Sequence, residues 1–291
     1  MRILKKPKVY LIARPAIVES GFEAFLKDQK LKWPTLKKGV KDAERLVEIA
    51  GRNCYMSFGK KAGSKTNKKY IQNLLGRNED GTFKPGPAHG SVVEHPNWSF
   101  LVVGAGRGFS HEQVRHRVGW AYSQLSTRYC DFEREEEEGT WDPGFCIPTL
   151  ANLSKKTSKN MSKLLKKSQE SYVELLALIE EDLKENKNFA KALSKMDKLT
   201  ARRSLRKAAR GAARDILPIA TEAIMTMTSN ARSIWNCLVL RANEHAEAVI
   251  RDIYVQISRI MEKEMPALFN GIKYVDCWDG TKAVVMPREK I

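Results

Sequence analysis

The sequence predicts an α+β fold, a single domain spanning residues 1–291 in which a sheet is flanked by long helices concentrated in the second half. Three observations carry that expectation. A β-branched and aromatic run from Val92 to Val103 reads as a strand feeding a helix, and amphipathic stretches at 155–184 and 199–216 read as long helices. No internal repeat or low-complexity linker divides the 291 residues, and 42% hydrophobic content can supply a sizeable core.

In chain order, residues 1–40 mix short apolar runs with Pro and Lys and read as strand and turn. Ala43, Leu46, Val47, Ile49 and Ala50 then form a helical stripe that starts near Lys41 and runs up to Gly51. Residues 59–88, rich in Lys, Gly and Asn around the short apolar YIQNLL, read as an exposed, mobile excursion. Gly104 to Phe109 (GAGRGF) is a tight strand-to-helix connection: its third glycine comes one residue early for a dinucleotide fingerprint, and no Walker lysine is present. Ser110 with Gln113 has capping-box spacing, so a helix is expected to open there and to hold Arg115, His116 and Arg117 inside it or at its end. The acidic run Glu133 to Glu138 reads as loop. Met161, Leu164, Leu165, Ser168, Tyr172, Leu175, Leu176, Ile179 and Leu183 mark one face of the helix at 155–184. The next helix, Leu199 to Ile216, carries Arg202, Arg206, Arg210 and Arg214 at i, i+4 spacing and stops before Pro218. Asn230 is expected to cap a helix to about Leu240, and Asn243 another through Ile260.

Composition narrows the function classes. A formal net charge of +17 attracts anions, whether nucleic acid, acidic membrane or small phosphorylated ligands. Five scattered cysteines without CxxC spacing argue against a disulfide framework and a structural zinc site, and point to a reducing, cytoplasmic setting. No apolar run reaches the roughly 20 residues a membrane span needs, so a soluble chain without a membrane partner is expected. His89, His95, His111 and His116 cluster, but without an HxxxH pair or a nearby Cys ligand, so no metal is expected.

Arg115-His116-Arg117 carries more information. Three successive helical positions sweep about 200°, so at least one cation must face protein or ligand. Planar guanidinium forks suit a diphosphate or nucleotide, while buried ion pairs to Glu133–Glu138 are the plainer alternative.

The continuation RHRVGWAYSQLSTRY, with Ser126, Arg128 and Tyr129, resembles the signature of the flavin-dependent thymidylate synthases. Supporting pieces stand in the family's order: His89-Gly-Ser91-Val-Val-Glu94-His95, Arg107 before His111-Glu112, Ala213-Arg214 to Pro218, Asn230-Ala-Arg232 with Asn236, and Leu240-Arg241 to His245. The resemblance spans roughly residues 42–265. Three departures stand out: eight residues rather than the family's seven separate Arg117 from Ser126, so the turn near Gly119 and Trp120 must absorb the extra one; Cys54 stands where the family often has serine; and Lys-rich excursions at 59–88 and 151–200 are longer than a compact member needs.

The resemblance implies a methyltransferase that converts dUMP to dTMP with FAD, using NADPH as reductant and methylenetetrahydrofolate as one-carbon donor, in a homotetramer with shared active sites. It places His89, Ser91, Arg115, His116, Arg117, Gln124, Asn230, Arg232 and Asn236 near FAD. Glu112, Arg115, Gln124, Ser126, Arg128, Arg214 and Arg241 would line the dUMP site, with Arg241 assisting ionisation of uracil N3 as the catalytic group. Ser126 reads as a binder rather than a covalent nucleophile, because no activating base stands at a fixed spacing. A folate-only thymidylate synthase would need a Pro-Cys nucleophile, which the chain lacks. Nucleic acid is set aside as the main ligand, because Ala190 to Ile234 holds no Phe, Tyr or Trp to interleave with its cations.

Overall fold

The computed structural model describes residues 2–33, 39–59, 66–86, 88–130, 144–147 and 153–291. Its elements are β1 (Arg2–Leu4), β2 (Lys8–Ala13), α1 (Glu19–Asp28), α2 (Asp42–Asn53), α3 (Asn67–Leu74), β3 (Asn97–Val103), α4 (Arg107–Gln113), β4 (Trp120–Gln124) and β5 (Gly144–Cys146). There follow α5 (Lys155–Glu185), α6 (Lys187–Leu193), α7 (Lys198–Ala213), β6 (Met225–Asn230), α8 (Ala231–Arg241), α9 (Ala248–Glu264), α10 (Pro266–Phe269), β7 (Lys273–Asp276) and β8 (Lys282–Val285). The fold class is α+β, as expected, with small sheets and long helices in the second half.

The chain resolves into two compact units, each assembled from separate stretches of sequence. The first comprises Met1–Pro7, Val103–Glu112 and Ser123–Met225. Here β1 pairs in parallel with β5, and α5 packs along α7. Tyr172 and Leu176 of α5 meet Ala209 and Ala213 of α7, whose small side chains let the two helices approach closely. Helix starts are set locally: Ser154 accepts from Thr157 N, Asn186 from Phe189 N, and Asp197 from both Leu199 N and Thr200 N. The buried carboxylate of Glu222 is satisfied by Arg2 at 2.7 Å and by the Gly104 amide at 2.9 Å.

The second unit comprises Lys8–Val102, Gln113–Tyr122 and Thr226–Ile291. Apart from a few strand-end residues it holds the four-stranded sheet, in the order β2-β3-β6-β4. Alternate residues of β3 (Trp98, Phe100, Val102) are buried, as are Met227 and Ser229 of β6, the period of two that a half-buried strand demands. Against this core lie α8, through Ile234, Trp235 and Leu238, and α9, through Ile250, Ile253, Tyr254 and Ile257. The antiparallel hairpin β7–β8 packs on α9, where the buried Arg251 pairs with Asp279 and donates to the carbonyls of Glu244 and Ala246.

Several expectations are corrected. Residues 1–40 contain a helix, α1, whose Phe22 and Phe25 cluster with Trp33 and Phe58. The 59–88 segment is not simply an exposed excursion: Ile71 and Leu75 are buried, and the buried Arg77 donates to the carbonyls of Ala267 and Leu268. The strand begins at Asn97 rather than Val92, because Gly90–Glu94 form a 3-10 turn. The helix expected to start at Asn243 starts instead at Ala248, capped by Glu247, while Asn243 accepts from the His245 amide in a local turn. Ser110 lies inside α4 rather than at its cap, and donates to the Arg107 carbonyl. The acidic run Glu133–Glu138 lies outside the described residues.

The largest local difference concerns Arg115-His116-Arg117, which sit in a turn after α4. A continuing helix would direct the Gln113 carbonyl to the Arg117 amide. Instead that carbonyl accepts from the His116 amide at 3.1 Å and from Tyr122 Oη at 3.0 Å, and Gly119 at φ 72° reverses the chain into β4.

Candidate functional site

A cavity of 520 Å³ in the second unit gathers the Arg115–Trp120 turn, the start of α8 and the residues Glu289–Ile291. Asn230 opens α8 because its Oδ1 accepts from the Ser233 amide at 2.9 Å, and the helical period then puts Arg232 and Asn236 on one face, one turn apart. Ser233 Oγ donates to the Val118 carbonyl at 2.9 Å and Ser229 Oγ to that of Gly119 at 2.8 Å, binding the turn to β6 and α8. Arg115, Arg117, Arg232 and Lys290 make the lining strongly cationic, while Trp120 supplies apolar aromatic surface. Arg232 is engaged by Glu94 at 2.6 Å and by the Ile291 carbonyl oxygen at 3.1 Å. That lining matches a ligand combining phosphate with aromatic rings.

Beneath the turn, Arg241 Nε donates to His116 Nε2 at 2.9 Å. Burial first, and the neighbouring Arg241 charge second, hold the His116 imidazole below its ordinary pKa. Cys237, also lining the cavity, is a buried thiol pushed up to about 11 by burial, which makes it a poor nucleophile.

A second cavity, of 480 Å³, lies within the first unit and is lined by Arg128, Tyr129 and the α7 residues Arg202, Arg206, Lys207 and Arg210. Lys207 Nζ sits 4.8 Å from the Tyr129 ring centroid, and its hydrogen bond and charge hold the phenol below its usual pKa. Arg210 donates to the Tyr129 carbonyl at 3.0 Å, and the Arg128 amide donates to Ser126 Oγ at 3.3 Å. Arg107, held below its usual pKa by burial and then by Arg214, donates to the Leu125 carbonyl at 3.0 Å. Arg206 is paired with Glu180 at 3.6 Å, and the lining as a whole is strongly cationic.

Comparison with known proteins shows the family. Residues 35–267 match the family model described as thymidylate synthase complementing protein. Flavin-dependent thymidylate synthases from Mycobacterium avium and Corynebacterium efficiens are 31% and 32% identical to the chain over 264 and 265 residues, covering 90% and 91% of it and 92% of each relative. The chain belongs to the flavin-dependent thymidylate synthases. A UMP/dUMP methylase, PolB from Streptomyces cacaoi, solved with 5-Br dUMP, shares the fold at a TM-score of 0.57 and 18% identity, over 92% of this chain and 95% of that one.

Of the residues the flavin-dependent thymidylate synthase motifs point to, the structure brings Arg115, His116, Arg117, Asn230, Arg232 and Asn236 to one cavity, with Arg241 bonded to His116. Ser91 and His89 stand exposed on and just before the Gly90–Glu94 turn, of which Glu94 reaches the lining. In the first unit Arg128 lines the basic cavity and Ser126 turns toward its backbone, while Gln124 ends β4, Glu112 lies in the last turn of α4 and Arg214 follows α7. Sequence reasoning did not single out Glu94, Trp120, Trp235 or Glu289–Ile291 as cavity wall, nor Tyr129 and Lys207. Tyr129 stood in the motif and Lys207 beside the arginine stripe, whereas nothing local marks the last residues as lining. Among the described residues no cluster of His, Cys, Asp or Glu could hold a metal, and no helix is long and apolar enough to cross a membrane.

Proposed function

We propose that this chain converts dUMP to dTMP with FAD as its redox cofactor, NADPH as reductant and methylenetetrahydrofolate as one-carbon donor. It works in the cytoplasm as a homotetramer with shared active sites, residues 1–291 serving as one catalytic domain. The observation that supports the cofactor assignment best is the convergence of Arg115, Arg117 and Arg232 with Asn230 and Asn236 around one cavity that Trp120 also lines. The arginines offset the diphosphate, the asparagine amides hydrogen-bond polar edges, and Gly119, lacking a side chain, lets its turn pack closely on Asn230 and Ser233. His89, Ser91, His116 and Gln124 complete the cofactor contacts. When bound, the flavin supplies the reducing equivalents that complete the methyl group.

The nucleotide is held by Arg128, Arg214, Arg115 and Gln124, with Glu112 and Ser126 as hydrogen-bonding partners. Arg241 polarises uracil at N3, favouring its ionised form and raising the nucleophilicity of C5. Ser126 Oγ accepts from the Arg128 amide, which supports binding over covalent attack. Purified protein should show an oxidised-flavin absorbance that bleaches with NADPH, and should form dTMP from dUMP and methylenetetrahydrofolate. A colourless protein that takes up no added FAD overturns the reading.

A further inference from the structure

The turn carrying Arg115, His116 and Arg117 is anchored from the core. Gln113 is fully buried, and its amide bridges two tyrosines: Nε2 donates to Tyr122 Oη at 3.0 Å, and Oε1 accepts from Tyr254 Oη at 2.8 Å. The single Tyr122 hydroxyl proton faces the carbonyls of His116 at 2.5 Å and Gln113 at 3.0 Å. Trp120 stacks on Tyr122, with ring centroids 6.0 Å apart and planes within 6°. The residue expected to close a capping box is thus the hub of a satisfied polar network, which fixes the His116 backbone.

The His116 ring is fixed at its other end. Arg241 Nε–H donates to Nε2 at 2.9 Å, and a nitrogen that accepts this bond must carry no proton. The imidazole is therefore neutral, with its proton on Nδ1. We propose that His116 is a positioning residue for Arg241: as a neutral acceptor for Nε it sets the plane of the guanidinium, supported by Gln113, Tyr122 and Tyr254. A guanidinium is a rigid planar fork, so holding Nε fixes the directions in which both terminal nitrogens donate. This deepens the reading above and rests on Arg241 acting on the nucleotide.

Protonation of His116 would remove the acceptor and set a second cation beside Arg241. The charged and titratable groups around it are Arg115 and Arg117 on its own turn, Arg232 and Cys237 on α8, Glu94 on the 3-10 turn, and Glu289 and Lys290 near the last residue. Burial and the Arg241 charge reinforce the neutral form. The positioning is therefore intact at neutral pH and fails on the acid side.

Two measurements test the proposal. In unliganded protein labelled with 15N-histidine, the chain's five histidines give few signals, and that of His116 is the one lost in His116→Gln. At neutral pH it should report a neutral ring with the proton on Nδ1; an Nε2–H tautomer or an imidazolium overturns the proposal whatever the activity. In the flavin-loaded enzyme, with rates taken per bound flavin, His116→Leu should lower kcat on the order of 10- to 100-fold while the KM for dUMP changes little. His116→Gln, whose amide oxygen accepts without titrating, should restore most of kcat and lose the acid-side fall. The double variant His116→Leu/Arg241→Ala should be no slower than Arg241→Ala alone. A wild-type kcat in His116→Leu, an unchanged acid limb in His116→Gln, or additive losses in the double variant each overturn it. Absence of flavin and of dTMP formation in the unaltered chain would instead refute the proposed function, leaving the tautomer measurement to decide the hydrogen bond.

Discussion

Gly119→Ala tests whether the left-handed turn is what builds the cavity proposed to take FAD. Gly119 has φ 72°, where an L side chain costs about 1–2 kcal/mol. A Cβ there would lie 2.6 Å from Asn230 Nδ2 and 3.1 Å from Ser233 Cβ, and would collide with Ser233 Oγ. These atoms belong to the first turn of α8, so the glycine turn has to move away and strain the bonds from Ser233 to Val118 and from Ser229 to Gly119. Each such bond contributes about 0.5–1.5 kcal/mol, which brings the total to about 2–5 kcal/mol. Thermal unfolding should fall on the order of 10 °C. Moving Arg115 and Arg117 should also raise the Kd for FAD by about tenfold or more, equivalent to at least about 1.4 kcal/mol, measured by titrating flavin-free protein. Gly76→Ala is the matched control: φ is 65° and nothing lies within 4 Å of its added Cβ, so only the backbone strain remains. If Gly119→Ala matches Gly76→Ala in both stability and FAD affinity, the reasoning is refuted.

Three further outcomes are expected. Asp279→Ala should destabilise by about 3–5 kcal/mol in chemical denaturation, because it strands the buried Arg251 cation, and the cost should shrink in an Arg251→Met background. Burial alone would raise the Asp279 pKa, but hydrogen bonds from Thr281 and the Arg251 charge outweigh it and hold the carboxyl low; its stabilisation is therefore present above the unfolded carboxylate pKa and lost as pH falls through the folded one, a loss Asp279→Ala should abolish in acid-unfolding curves. Arg128→Ala and Lys207→Ala should each raise the KM for dUMP while leaving flavin content unchanged, since both line the basic cavity of the first unit.

Much of this fold was legible because its signals are local. The 155–184 stripe became α5, the arginine stripe became α7 running into a 3-10 turn, and Asn230 caps α8 as its spacing suggested. A helix period or a cap depends on residues within one or two turns, so it survives without knowledge of the rest of the chain. Ser110 and Gln113 mark where that locality ends. Their capping-box spacing was real, yet Gln113 is claimed by Tyr254, 141 positions away, and by Tyr122. Likewise the Lys-rich context of Arg77 suggested an exposed segment, but its guanidinium reaches carbonyls of Ala267 and Leu268 at the far end of the sequence.

By itself the sequence determined the α+β class, the long helices and the residue types at each motif, and through those motifs the family. Only the tertiary structure decided that Arg115-His116-Arg117 leave the helix for a turn, that His116 accepts from Arg241, and that Glu289–Ile291 wall the cavity. The physical reason is one of range. Hydrophobic periodicity and capping are properties of neighbouring residues, whereas the destination of a buried polar group is settled by whichever partner the folded chain brings within hydrogen-bonding distance.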